Sequence, residues 1–219
     1  FSNTTYNINN DISLNLGLNS QFFALNNKYT IEPRIGVKYK FLPKHMLSFG
    51  YGLHSRLENL IYYFSKNPAS GNELSNKNLD FTKSHPLAVD YDWDISPILH
   101  LKTEAYYQNI FNVPVINGTS FSILNNINEW VIDEKLENTG KGRNYGIDLS
   151  LDHYLTNGFY YNINASIFNS EYKGGDNIWR KTRFNRNYVI NILGGKEWVF
   201  GKEKNRTFGA NFRLIYQGG

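Results

Sequence analysis

Residues 87–96 read Leu-Ala-Val-Asp-Tyr-Asp-Trp-Asp-Ile-Ser, and their side chains alternate between two characters. The odd-numbered positions, from Leu87 to Ile95, are apolar or aromatic, whereas the even-numbered positions hold Ala, Asp and Ser. Successive side chains of a β-strand point to opposite faces, so this period of two predicts a strand with one apolar and one polar face.

The same alternation recurs along the chain, and helical periodicity is almost absent. It predicts eight further strands, within residues 12–19, 31–41, 47–56, 99–108, 144–152, 159–167, 186–200 and 208–216. The sequence therefore predicts an all-β, antiparallel architecture of about nine strands.

The predicted connections alternate between short and long. Short turns fall near residues 9–11, 43–45, 96–97, 156–158 and 202–205, with a short loop at 24–28 and long loops at 65–83, 112–142 and 173–185 between them. Short turns at one end and long loops at the other are typical of a transmembrane β-barrel, with turns in the periplasm and loops outside.

Composition supports the same class. Aromatic residues make up 16% of the 219 residues, which fits a barrel with aromatic girdles. The chain has no cysteine, which excludes a disulfide scaffold and thiolate metal sites. No apolar run approaches the roughly 18 residues of a membrane helix, and the mean hydropathy of −0.49 is compatible with both a membrane barrel and a soluble protein. The net charge of +4 is scattered along the chain and gives no indication of nucleic-acid binding.

The alternation alone does not decide which face is buried. In a small soluble barrel the apolar face points inward, whereas in a membrane barrel it meets lipid and the lumen is polar. Strands of about 10 to 14 residues, against about five or six in soluble sheets, favour the membrane. Aromatics near strand ends, as at 62–64 and 159–161, favour it too.

Opposite charges on the polar face predict ion pairs along the lumen wall. If the turn at 42–45 fixes the register, Glu32 lies opposite Arg56 and Arg34 opposite His54. If the turn at 96–98 does the same, the lumen-facing carboxylates Asp92 and Asp94 lie near Lys102. Each hydrated pair is worth under about 1 kcal/mol.

Several strings resemble the C-terminal half of the barrel of TonB-dependent outer-membrane receptors, in the form common in Bacteroidota. They are Glu-Pro-Arg-Ile-Gly at 32–36, Leu-Ser-Phe-Gly-Tyr-Gly-Leu-His-Ser at 47–55, Lys-Thr-Glu-Ala-Tyr-Tyr-Gln at 102–108, Gly-Arg-Asn-Tyr-Gly-Ile-Asp-Leu at 142–149 and Asn-Ile-Leu-Gly-Gly-Lys-Glu at 191–197. The resemblance covers nearly the whole chain, and the string at 142–147, which opens a strand after a long loop, is its most specific part.

The resemblance implies a 22-stranded barrel, plugged by an N-terminal domain and energised by the TonB complex of the inner membrane. Residues 1–219 would then be a partial barrel domain without the plug, the TonB-contacting segment or the remaining strands. The implied function is active import of a nutrient too large for porins, such as an iron chelate, an oligosaccharide or a peptide. The implied partners are outer-membrane lipid, the TonB complex, the nutrient and, as in many members of the family, a surface lipoprotein that lids the barrel.

No pattern predicts catalysis, a metal or a cofactor. The five histidines lack metal-ligand spacing, and nothing orders Ser84, His85 and Asp80 as a triad, so no enzymatic activity is expected. The candidates for substrate binding are Arg56 at the lumen rim and Trp130, Trp179 and Arg180 in the long loops, because exposed aromatics beside arginine suit sugar or peptide stacking. Packing between loops is the alternative explanation for these residues.

Two other hypotheses remain open. One is an outer-membrane barrel that does not transport and serves as an adhesin or a secretion component. The other is a soluble β-sandwich. A plug domain upstream would favour import, and detergent-dependent solubility would argue against the sandwich.

Overall fold

The computed structural model describes residues 1–68, 71, 73–126, 132–203 and 205–219. Within these residues the chain forms twelve antiparallel strands of one sheet and two short helices. The strands are β1 (Ser2–Asn7), β2 (Ile12–Phe23), β3 (Lys28–Leu42), β4 (His45–Gly52), β5 (His54–Arg56), β6 (Thr82–Ser96), β7 (Leu99–Val115), β8 (Glu137–Thr156), β9 (Phe159–Lys173), β10 (Trp179–Lys181), β11 (Tyr188–Phe200) and β12 (Arg206–Gln217). The helices are α1 (Leu60–Tyr63) and a 3₁₀ turn at Ile123–Asn125.

Strands adjacent in sequence are adjacent in the sheet. The order is β1-β2-β3-β4-β6-β7-β8-β9-β11-β12, with β5 extending the β4 edge of β6 and β10 pairing with the end of β9. The sheet is not closed, since β1 and β12 form its two edges within the described residues. The all-β antiparallel prediction is confirmed.

All nine predicted strands are present, the one at 47–56 being divided into β4 and β5. Two strands were not predicted: the short β10 and, at the start of the chain, β1. Its sequence, Ser-Asn-Thr-Thr-Tyr-Asn, has a single aromatic and no apolar alternation, so periodicity did not reveal it. It forms because β2 offers a free edge, on which Tyr6 pairs with Leu14 and Thr4 with Leu16.

The predicted alternation of short turns and long loops is also confirmed. One end of the sheet carries tight turns, and the Asn157-Gly158 turn has φ values of 52° and 72°, as a type I′ hairpin requires. The other end carries the long connections at 57–81, 116–136 and 174–187, and β8 alone runs for 20 residues. We call these the turn end and the loop end.

Burial assigns the two faces. On β3 the side chain of Glu32 is buried, at 1% exposure, while its neighbour Ile31 is 54% exposed. Farther along the sheet, Ile147 and Ile167 are exposed to 57% and 72% on the apolar face. The charged face is therefore the sheltered one, as in a membrane barrel and opposite to a soluble one.

The apolar core lies in the loops. Tyr62 and Tyr63 of α1 pack with Leu79, Val113, Ile123, Ile132 and Leu136 at the loop end. Two side chains of the polar face, Phe23 and Ile110, pack against this cluster, and so does Leu124 of the 3₁₀ turn. The loops thus fold over the polar face and cap it; we call this cluster the loop cap.

Aromatic rings mark two levels on the apolar face. Near the turn end, His45 stacks between Tyr91 and Trp93, and His153 stacks on Tyr161. Near the loop end, Tyr107 stacks on Tyr145. Along β8 the stretch from Tyr145 to His153 spans roughly 21 Å across a membrane at ~3.4 Å per residue and a tilt of ~40°, close to the ~25 Å apolar band of outer-membrane barrels.

Among the described residues, no helix combines the length and the apolar character needed to cross a membrane.

Candidate functional site

The most deeply buried charge on the polar face is Glu32, near the loop end of β3. Its carboxylate accepts hydrogen bonds from Asn19 Nδ2 at 3.0 Å and Gln21 Nε2 at 2.6 Å, both on the neighbouring strand β2. Arg34 Nη2 donates a third at 3.2 Å. Three donors compensate the burial of this carboxylate, so Glu32 stabilises the packing of β2 against β3.

The predicted partners of Glu32 and Arg34 are wrong. Arg34 lies opposite Gly52 and not opposite His54, because a bulge at Lys40–Leu42 shifts the register of β3 against β4. The bulge accounts for one residue of the two-residue difference, because the turn already pairs Leu42 with His45, one residue away from the predicted register. Glu32 and Arg34 pair with each other along one strand. A turn gives the register only where the ladder beyond it is regular.

Arg56 also has a different partner. Its guanidinium lies 3.3 Å from the buried carboxylate of Glu58, which accepts a 2.6 Å hydrogen bond from Thr82 Oγ1. The other side of Arg56 remains open, since two thirds of its side chain (66%) is exposed. A half-paired arginine at the rim of the polar face keeps free donors for a ligand.

The second predicted register is confirmed, whereas the ion pairing differs. Asp92 lies directly opposite Lys102, yet Lys102 Nζ turns to Asp90 at 2.9 Å and to Glu104 at 3.5 Å. Asp92 and Asp94 approach the ring of His100 instead, at 3.4 and 2.8 Å. Because the lysine side chain is long and flexible, it reaches past Asp92 to Asp90 and Glu104, which lie opposite each other two residues farther along their strands.

These residues belong to an acidic band across the polar face. Asp90, Glu104 and Asp148 stand in one row of directly opposed residues on β6, β7 and β8. Lys102 pairs with the first two of these carboxylates, so the row keeps a net negative charge. Directly opposed like charges repel, so the band carries a negative potential that attracts cationic groups. The structure shows no grouping of three or more His, Asp or Glu among its described residues that could hold a metal ion.

A cavity of about 190 Å³ lies between the polar face and the loop cap. Its walls include His54 and Arg56 of β5, Thr82 and Ser84 of β6, Gln108 of β7 and Leu124 of the 3₁₀ turn. The side chains offer a cation, two hydroxyls and an amide over an apolar floor. Such a lining suits a polar, hydrogen-bonding ligand group.

The two neighbours Trp179 and Arg180 point in opposite directions. Trp179 shares the outer, apolar face with Lys173 and covers the guanidinium of Arg143 at 4.4 Å. The candidate substrate-binding residue Trp179 therefore lies on the outer face, because side chains alternate along the short strand β10. Its role in substrate binding stays a prediction. Arg180 donates to both carboxylate oxygens of Asp176, at 2.9 and 2.6 Å, which lowers the pKa of Asp176 and raises that of Arg180. Trp130 lies outside the described residues.

Sequence reasoning missed the residues that lock the long loops together. The buried side chain of Asn76 donates to Glu134 O at 3.1 Å and accepts from Leu136 N at 2.8 Å. Asn138 similarly bridges the backbone of Asp80 and Asn112. Asparagine is common in and beside loops, and no spacing in the sequence distinguishes these two. Burial in the same cap raises the pKa of Tyr63 to about 12, so this phenol stays neutral.

No protein-family model and no curated protein matches the sequence. Solved structures do match. The ferripyoverdine receptor of the outer membrane of Pseudomonas aeruginosa superposes with a TM-score of 0.66 at 11% identity over 96% of this chain. This chain therefore shares the fold of part of that receptor.

Two further structures agree. The alcaligin outer-membrane receptor FauA of Bordetella pertussis matches 98% of this chain at 14% identity and a TM-score of 0.63. The FrpB iron transporter of Neisseria meningitidis matches 96% at 14% identity and a TM-score of 0.63. The chain spans 27%, 36% and 31% of the three receptors in the order given, which is about a third of their length. The fold class predicted from the sequence is confirmed by this similarity.

Proposed function

We propose that the chain forms part of the barrel wall of a TonB-dependent outer-membrane importer. The observation that carries the proposal is the inverted polarity of the sheet. The apolar face is exposed and banded by aromatics, while the charged face lies beneath a packed loop cap. The fold similarity to outer-membrane receptors, among them an iron transporter, supports an import function over a purely structural one.

The proposed substrate is a nutrient too large for porins, in the class of iron chelates, oligosaccharides or peptides. The cavity under the loop cap would bind one polar part of it. There the open side of Arg56 and the amide of Gln108 would provide directional contacts. Arg180 is fully engaged with Asp176 and is a weaker candidate for this role.

The proposed partners follow from the same hypothesis. A plug domain would rest against the polar face, where the acidic band suits basic side chains. The TonB complex would act through an N-terminal region. A surface lipoprotein lid is supported by the segment around α1, where Leu60 and Phe64, the residue after the helix, are 52% and 53% exposed while Tyr62 and Tyr63 are buried.

Uptake measurements test the proposal. Cells that produce the intact protein should accumulate a substrate that deletion cells do not, and uptake should stop when the proton-motive force is collapsed. Arg56→Ala should reduce uptake, whereas Arg206→Ala, at the turn end, should not. Unchanged growth and uptake after deletion, combined with loss of cell adhesion or of a secreted protein, would favour the adhesin or secretion alternative.

A further inference from the structure

A cluster of basic residues lies on the apolar face of the sheet, beyond its aromatic level at the loop end. Two consecutive rows of opposed residues cross β8, β9 and β10. The first row is Lys141, Lys173 and Trp179, and the second is Arg143, Glu171 and Lys181. We call these six residues the basic outer patch.

The register fixes the side of the sheet on which the patch lies. Between residues 141 and 153 the pairing of β8 with β9 is regular, so Lys141 and Arg143 share a face with Tyr145, Ile147 and Leu149. Ile147 and Leu149 are among the exposed apolar residues of that face. The patch therefore faces away from the polar interior, and the cavity under the loop cap is not part of it.

The charges of the patch are incompletely compensated. Glu171 pairs with Arg143, whose guanidinium also lies under the ring of Trp179. Lys141 and Lys173 stand directly opposite each other, and neither has an ion-pair partner among the described residues. Like charges directly opposed in a sheet are destabilising. An anion between the two ammonium groups would remove this repulsion.

The position of the patch relative to the apolar band of the membrane indicates which anion binds between the two lysines. Arg143 and Lys141 follow directly beyond Tyr145, at the level where head groups begin outside the apolar band. Tryptophan beside basic side chains is characteristic of that interface, because its ring is apolar at one end and a hydrogen-bond donor at the other.

We propose that the basic outer patch binds the phosphorylated head group of an outer-leaflet lipid. Lys141 and Lys173 hold the phosphate between them, Lys181 adds a third positive charge, and Trp179 lies against the acyl–head-group boundary. The inference rests on the proposed function only in placing the apolar face in a membrane; it does not depend on import.

Lipid binding to the intact protein in detergent tests the inference. The probes are diphosphorylated lipid A, the same lipid with both phosphates removed, and inorganic phosphate alone. The test variant is Lys141→Gln with Lys173→Gln. The matched control is Lys44→Gln with Lys202→Gln, two exposed lysines at the turn end. Heat-modifiable electrophoretic mobility reports folding of each variant.

Each lysine near an anionic membrane surface contributes roughly fivefold in affinity, so the test variant should bind diphosphorylated lipid A roughly thirtyfold more weakly. The control should bind like the wild type, and the dephosphorylated lipid should bind poorly to all forms. If the double variant does not fold, Lys141→Gln and Lys173→Gln singly should each lose roughly fivefold. Equal binding by wild type and variants, or tight binding of the dephosphorylated lipid, overturns the inference. Inorganic phosphate that binds as tightly as the lipid overturns the choice of a lipid.

Substrate uptake by the same variants separates this inference from the proposed function. Uptake should persist in Lys141→Gln with Lys173→Gln, since the patch lies outside the import path. Unchanged lipid affinity with normal uptake contradicts the lipid site alone, and absent uptake in the wild type contradicts the import function alone.

Discussion

Asp90 and Glu104 stand directly opposite each other on β6 and β7, and Lys102 Nζ lies between them, 2.9 Å from one carboxylate and 3.5 Å from the other. Asp148 continues the row on β8. One lysine thus bridges two of the three neighbouring carboxylates on a single sheltered face.

Replacing Lys102 should destabilise the folded sheet. Lys102→Gln leaves the row without a cation and should lower the free energy of unfolding in detergent by about 1 kcal/mol. Adding Asp90→Asn should restore most of the loss, because the repulsion disappears with the charge. Lys38→Gln, on the same face but without an acidic partner in the described part of the chain, is the matched control. Equal losses for Lys38→Gln and Lys102→Gln would show that the row is not electrostatically coupled.

The loop cap should open locally when Asn76 is truncated. Asn76→Ala leaves the buried Leu136 N–H and Glu134 O without their partner, which costs about 2 kcal/mol. Hydrogen exchange at Leu136 should therefore accelerate roughly thirtyfold. Exchange in Asn78→Ala, an exposed neighbour in the same loop, should match the wild type. If Asn76→Ala exchanges at the wild-type rate, the two long loops are not held together through this amide.

The β10 hairpin should loosen in acid. The hydrogen bonds from Arg180 hold the pKa of Asp176 below the usual value for an aspartate. The pair therefore stabilises the hairpin above that usual pKa, and the contribution is lost as pH falls through the lower, folded-state pKa. Hydrogen exchange of Trp179–Lys181, corrected for intrinsic rates, should lose protection in that acidic range. Asp176→Asn should remove this pH dependence. A wild-type hairpin whose protection stays constant through the same range contradicts the assigned pair.

The Asn157-Gly158 turn should not tolerate a side chain at Gly158. A Cβ there would collide with the backbone carbonyl of Glu197, and the φ of +72° is strained for any L-residue. Gly158→Ala should slow folding into detergent and lower the free energy of unfolding by about 2 kcal/mol or more. Gly118→Ala has the same φ of +72° and open space around it, so it measures the strain alone. If both variants lose the same stability, the contact with Glu197 does not matter.

The alternation of apolar and polar residues predicted most of the fold. Strong alternation in residues 87–96 and 99–108 fixed both strands, and their tight turn placed Asp92 opposite Lys102 as the structure has it. The strand β1 was missed because its pairing depends on the free edge of β2 and not on its own pattern. The register at Arg34 was missed because a bulge in the backbone leaves no mark in the apolar pattern.

The site was predictable only in part. Charged residues on one face identified the polar wall, and Arg56 does line the cavity beneath the loop cap. The loop residues resisted prediction, because their directions depend on short pairings such as β10 with β9, which turn Trp179 outward. Loop asparagines gain their role only when two loops distant in sequence meet, as Asn76 and Leu136 do.

The direction of the apolar face is the central claim, and one pair of neighbouring residues tests it. The chain contains no native cysteine, so Leu149→Cys and Ser150→Cys each provide a single labelling site on opposite faces of β8. Each variant is labelled with a small fluorophore and reconstituted into bilayers of brominated phosphatidylcholine. We expect strong quenching at position 149 by the lipid bromines and little at position 150. Equal quenching at both positions, or stronger quenching at position 150, would contradict a sheet whose apolar face meets lipid.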